Sequence, residues 1–204
     1  VQAISKSLTD NNWNTQLFLG TQALESKIKQ LRDARVLHLA THGVFLEEIE
    51  RLEDLSIEDY QKEKYTENPL LRSMLLLAGA QNTVRGEPLT ANDDGILTAY
   101  EVMNMDLDNT ELVVLSACET GLGEIKNGEG VYGMQRAFQM AGAKTLIMSL
   151  WSVSDEATQE LMTTFYTNWL SGKTKREAFR EAQMELREKY PGFYYWGAFV
   201  MVGE

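Results

Sequence analysis

The stretch Leu112-Val113-Val114-Leu115-Ser116-Ala117 carries no charge and is apolar in both of its phases. A run that short and that apolar suits a strand in the middle of a sheet, covered by helices on both faces. Val36-Leu37-His38-Leu39-Ala40, Met74 to Ala78 and Thr145 to Leu150 have the same character. Segments with helical spacing lie between and after them. This alternation predicts a single α/β unit built on a largely parallel sheet. A chain of 204 residues is long enough for such a unit, at about one and a half times the usual domain size.

Other elements follow from local pattern. Leu17-Phe18-Leu19 before Gly20 reads as a short strand, and Thr21 to about Arg32 reads as a helix with Leu24, Ile28 and Leu31 on one side. Asn92-Asp93-Asp94-Gly95 is a turn, and Thr98 to Met103 is one or two helical turns. A helix is expected from Val131 to Ala141. Another runs to Leu170 with Ser154 or Asp155 as its cap. A third covers Thr174 to Tyr190, with Phe179, Met184 and Leu186 available for packing, and Tyr194 to Val202 closes the chain as a strand. Glu47 to Glu67 holds nine acidic and three basic residues and reads as a solvated loop or surface helix.

Composition excludes several functions. Nineteen basic against thirty acidic residues give a net charge of −11, which disfavours a nucleic-acid or anionic-membrane surface. No apolar run reaches the roughly 18 residues of a membrane span, and no signal-peptide pattern opens the chain. One cysteine excludes an internal disulfide and a cysteine-rich zinc site, and fits a reducing, cytoplasmic compartment. The chain opens on Val1 and is expected to belong to something longer.

With two histidines and one cysteine, the list of reactive candidates is short. His38 and His42 are four apart, but on a strand that spacing separates them by roughly 13 Å. Leu39 also stands where a metal-binding H-E-x-x-H would have glutamate, so no metal site is expected. His42 falls at the carboxyl end of one expected strand, before Gly43, and Cys118 at the end of another, before Glu119. Ligands and reactive groups gather at the carboxyl ends of parallel strands. Imidazole is the natural base for a thiol, and a glycine lets backbone N–H groups approach an oxyanion. Taken singly, Cys118 is an ordinary small core residue and His42 an ordinary strand-end residue. Their pairing on two strand ends favours chemistry. Phosphate loops compete weakly: Gly121-Leu122-Gly123 lacks the third glycine, and Gly172-Lys173-Thr174 follows a helix rather than a strand.

Five segments, in order, resemble the CHAT domain, a caspase-like domain often found behind tetratricopeptide repeats. They are His38 to Gly43, Leu115 to Gly121, Gly128-Glu129-Gly130 with Arg136-Ala137-Phe138, Ser149 to Asp155, and Tyr195-Trp196-Gly197-Ala198-Phe199. The resemblance runs from about Phe18 to Gly203 and treats 1–204 as a single domain. It implies a caspase–hemoglobinase fold, with a mainly parallel six-stranded sheet flanked by helices. A first strand of that family pattern, and an upstream repeat domain, are expected to lie before this chain.

The resemblance further implies a Cys–His dyad of Cys118 and His42, with an oxyanion hole from the N–H groups of Gly43 and Cys118. Ser149 and Trp151 are expected to pair with substrate. Asp155 occupies a position similar to the acidic residue with which separase-like relatives hold an arginine; its alternative reading is a helix cap. The implied function is a cysteine endopeptidase, without cofactor, acting on a protein substrate as the regulated effector of a larger bacterial signalling or defence protein. The rival expectation is a catalytically silent interaction scaffold of the same fold.

Overall fold

A computed structural model gives the fold and describes residues 1–45, 69–87, 93–116, 118–119 and 129–204. The helices are α1 (Gln2–Asp10), α2 (Glu25–Lys29), α3 (Pro69–Arg72), α4 (Ala80–Val84), α5 (Ala99–Met103), α6 (Glu129–Met140), α7 (Asp155–Leu170), α8 (Lys175–Lys189) and α9 (Phe193–Trp196). The strands are β1 (Val36–Leu39), β2 (His42–Phe45), β3 (Ser73–Leu76), β4 (Ile96–Thr98), β5 (Leu112–Leu115), β6 (Cys118–Glu119), β7 (Thr145–Ser149) and β8 (Phe199–Gly203).

The apolar runs at β5 and β7 are buried end to end, and their side chains divide by parity between two cores. Val113, Leu115, Leu146 and Met148 pack with Ala137 and Phe138 of α6. Leu112, Val114 and Ile147 pack on the other face, against Leu161 and Phe165 of α7 and Leu186 of α8. The two-residue period of a strand produces this split, and it explains why neither phase tolerates a charge. Each such side chain contributes roughly 1.5–3 kcal/mol over its exposed state, so these two cores hold the layers together. Ile4 and Leu8 bring α1 onto the second core, where Trp13 meets Trp169 edge-on at 5.6 Å.

The strands form two four-stranded ladders, β1-β5-β7-β8 and β4-β3-β2-β6. The pairs β1/β5, β5/β7 and β2/β6 are parallel. The pairs β2/β3, β3/β4 and β7/β8 are antiparallel. The described residues thus combine parallel and antiparallel pairs within an α/β fold, with β1, β5 and β7 parallel to one another. The ladders are continuous along the chain, because β1 leads into β2 and β5 into β6 with an unchanged offset between partners.

Several local expectations are corrected. Leu17, Phe18 and Leu19 form no strand; they are 38–39% exposed, and although Leu19 has extended backbone it has no ladder partner among the described residues. The helix expected from Thr21 is divided into a 3-10 turn, Gly20–Gln22, and α2. The carbonyl of Ala23 between them accepts from the Ala78 N–H at 3.0 Å instead of continuing a helix. The closing strand begins only at Phe199, because Phe193–Trp196 curls into α9. The Gln183 amide holds that junction by donating to the carbonyls of Trp196 and Phe199, 3.0 Å each. Met184 is exposed rather than packed. The acidic segment Glu47 to Glu67, Asn92, and the glycines at 121, 123 and 128 lie outside the described residues.

Candidate active site

Three parallel strands reach the site in step. Leu39, Leu115 and Met148 are register partners across β1, β5 and β7. Three residues beyond each of them stand His42, Cys118 and Trp151. The first two are themselves partners: β2 pairs with β6 through His42 opposite Cys118 and Gly43 opposite Glu119. In-register neighbours on adjacent strands sit about one strand spacing apart, roughly 4.8 Å. Two residues 76 positions apart in the chain are therefore backbone neighbours.

Local bonds set this end of the sheet. The Ser116 N–H donates to the Leu39 carbonyl at 3.0 Å and carries the β1/β5 pairing toward β2/β6. Thr41 donates its hydroxyl to the Leu76 carbonyl, and Leu76 is the β3 partner of His42. His42 is thus held between β3 and β6 at the backbone, while its residue surface is exposed. Gly43 lies between Leu75 and Glu119 at the same level.

His38 does something different from His42. Its Nδ1 lies 3.1 Å from the Tyr166 hydroxyl and its Nε2 lies 3.2 Å from Ser116 Oγ. One donor assignment satisfies the chain: Tyr166 donates to Nδ1, Nε2–H donates to Ser116, and Ser116 donates to the Leu39 carbonyl at 3.5 Å. Burial pushes the His38 pKa down to about 3, so this imidazole is neutral. Burial also raises the pKa of the Tyr166 hydroxyl. This network ends at Ser116, two residues before Cys118. Sequence reading passed over it, since its members come from β1, the end of β5 and the middle of α7.

On the third strand, Ser149 is buried opposite Phe199. The chain then leaves the sheet with the Leu150 N–H bound to the Ala198 carbonyl at 2.8 Å. Trp151 is half-buried, donating Nε1–H to the Tyr194 carbonyl at 2.9 Å. Asp155 is not a cap. Ser154 is, accepting the Ala157 N–H on its Oγ at 3.3 Å, and Asp155 is the first residue of α7, exposed to solvent. Its carboxylate stands at the positive end of the helix dipole.

A cleft of about 1040 Å³ runs along the outer edge of β1 to Thr41 and His42, walled by the 13–24 segment, Leu77 and Tyr166. The helix α2, which lines the cleft through Lys27 and Ile28, also carries a buried acid. Glu25 is 1% exposed, with Oε1 2.5 Å from Lys29 Nζ and Oε2 accepting the Gly95 N–H at 3.2 Å. Burial raises its pKa to about 7 against the opposing pull of Lys29, which also reaches Glu101 at 3.1 Å. Among the described residues, no group of three or more His, Cys, Asp or Glu residues could hold a metal. No helix among them is long and apolar enough to cross a membrane.

The family model described as CHAT domain matches residues 1–204, and the chain belongs to that family. Tetratricopeptide repeat protein 28 of Homo sapiens is 31% identical over 111 residues, 53% of this chain and 4% of that protein. The Mus musculus protein of the same name is 29% identical over 111 residues, with the same shares covered. The match therefore spans a small fraction of these relatives. The CHAT family has a caspase-like, peptidase-type fold, and the relatives' name associates it with tetratricopeptide repeats.

Proposed function

We propose that the chain is a cysteine endopeptidase domain with a His42–Cys118 dyad. The observation that carries this reading is the register of the two residues as partners on adjacent parallel strands. In the reaction, the Cys118 thiol passes its proton to His42 and the thiolate attacks the scissile carbonyl carbon. The N–H groups of Gly43 and Cys118 stabilise the oxyanion of the tetrahedral intermediate. Collapse breaks the C–N bond as His42 gives its proton to the leaving amine, leaving a thioester on Cys118. Water, deprotonated by His42, then releases the acid and restores the thiol. The step needs no cofactor.

Further parts of the reading rest on family membership and on the strand order. The sheet is taken as the six-stranded, mainly parallel caspase–hemoglobinase type, with 1–204 as one domain. Ser149, at the end of the strand beside β5, and Trp151 just beyond it line the path of the substrate backbone. Asp155 receives a basic side chain before the scissile bond, for which a solvated carboxylate at a helix start is suited. The domain is proposed to act in the cytoplasm as the effector of a larger bacterial signalling or defence protein, governed by a tetratricopeptide-type region.

A peptidyl acyloxymethyl ketone with arginine at its reactive end tests the reading. Intact-mass analysis should show one adduct, on Cys118, in the wild type and none in His42→Ala. Equal labelling of both proteins would point to an unactivated surface thiol.

A further inference from the structure

We propose that Phe193, with Trp151, forms an apolar subsite that selects a bulky apolar side chain of the polypeptide substrate. This rests on the peptidase reading and adds a substrate feature to it. Phe193 is 60% exposed, a large apolar area left in water. Yet its ring is held on three sides. The Trp151 ring lies 5.5 Å away and the Trp196 ring stands edge-on at 5.1 Å. The third side is Gly197, where a Cβ would come within 2.3 Å of the Phe193 ring. Trp151 is fixed in turn by its bond to the Tyr194 carbonyl. An exposed aromatic ring ordinarily samples several rotamers; the two neighbouring rings and Gly197 restrict this one, which lowers the entropic cost of binding.

Location selects the occupant. Trp151 stands as far beyond Met148 as Cys118 stands beyond Leu115, and Leu115 and Met148 are register partners. The shelf therefore lies at the carboxyl edge of the strand next to the one that leads to Cys118. An extended peptide crossing that edge from Cys118 meets Trp151 and Phe193 next. The chain's net charge of −11 favours a substrate that carries basic residues, and the exposed aromatic shelf favours one with an apolar side chain beside them. Side chains of the size of Leu, Met or Phe bury well on a fixed aromatic shelf, and a pocket of this kind discriminates against Ala by roughly 10–200-fold.

The test is digestion of a proteome-derived peptide library by wild type, Phe193→Ala and Phe193→Tyr, with Cys118→Ala as the blank and a thermal melt of each protein. The wild type should enrich Leu, Met or Phe at one position within four residues of the cut. Phe193→Ala should lose that enrichment at least fivefold with an unchanged requirement at the residue before the cut, and Phe193→Tyr should restore it. Cys118-dependent cleavage without apolar enrichment, or with enrichment equal in Phe193→Ala, overturns the subsite and leaves the peptidase reading standing. Absence of any Cys118-dependent cleavage overturns both.

Discussion

His38 Nδ1 lies 3.1 Å from the Tyr166 hydroxyl, and burial keeps this imidazole neutral. The folded pKa of about 3 lies below the ordinary 6.5. The unfolded chain therefore binds a proton that the folded chain refuses. Stability from this group is fully present above about pH 6.5 and is lost as pH falls toward 3, by at most about 1.4 kcal/mol per pH unit. Urea unfolding between pH 4 and 7 should show that slope in the wild type and a shallower one in His38→Asn. Tyr166→Phe should cost about 1–3 kcal/mol at pH 7, by leaving the buried imidazole nitrogen without its donor.

Glu25 has the opposite sign. Burial raises its folded pKa to about 7, above the ordinary 4.5, so here the folded state holds the proton more tightly. Its contribution is fully present below pH 4.5, falls as pH rises to about 7, and is constant above that. Glu25→Gln should flatten the curve over this window while retaining an acceptor for the Gly95 N–H. Glu25→Ala loses that acceptor and should destabilise at every pH. Comparing the two variants by urea titration at pH 5 and pH 8 separates titration from hydrogen bonding.

Ser154 caps α7, a role that sequence alone left open between Ser154 and Asp155. Ser154→Ala should lower stability by about 0.5–2 kcal/mol, the usual loss of an N-cap, without altering which peptides are cut. Asp155→Ala should lower it by less than about 1 kcal/mol, the worth of a first-turn carboxylate, while reducing cleavage after Arg or Lys at least tenfold. Thermal melts and a cleavage profile of both variants check this. Unchanged basic preference in Asp155→Ala would remove the residue from the specificity pocket.

The sheet centre was legible because burial on both faces leaves a chemical trace: β5 and β7 admit no charge in either phase. His42 and Cys118 were expected at the carboxyl ends of two apolar strands; each instead opens the short strand that follows, and they face each other because the offset between partners is the same in β1/β5 and β2/β6. Leu17-Phe18-Leu19 misled because apolar residues make a strand only where a neighbour accepts their backbone bonds. The curl at Phe193–Trp196 was hidden because its cause is tertiary: the Gln183 amide takes two carbonyls of the turn, and Gly197 gives room to the Phe193 ring. The His38–Ser116–Tyr166 chain had no local signature at all, since its partners lie 78 and 128 residues from the histidine.

The dyad is tested most directly by initial rates of peptide cleavage for wild type, Cys118→Ala, His42→Ala and the double variant, on one substrate taken from the library digest. Each single substitution should reduce kcat/KM to the level of the double, because a nucleophile and its proton carrier act as one unit and their losses do not add. All four proteins should melt within a few degrees of one another. Cleavage by Cys118→Ala at a rate near that of the wild type, in protein free of other peptidases, would contradict the account.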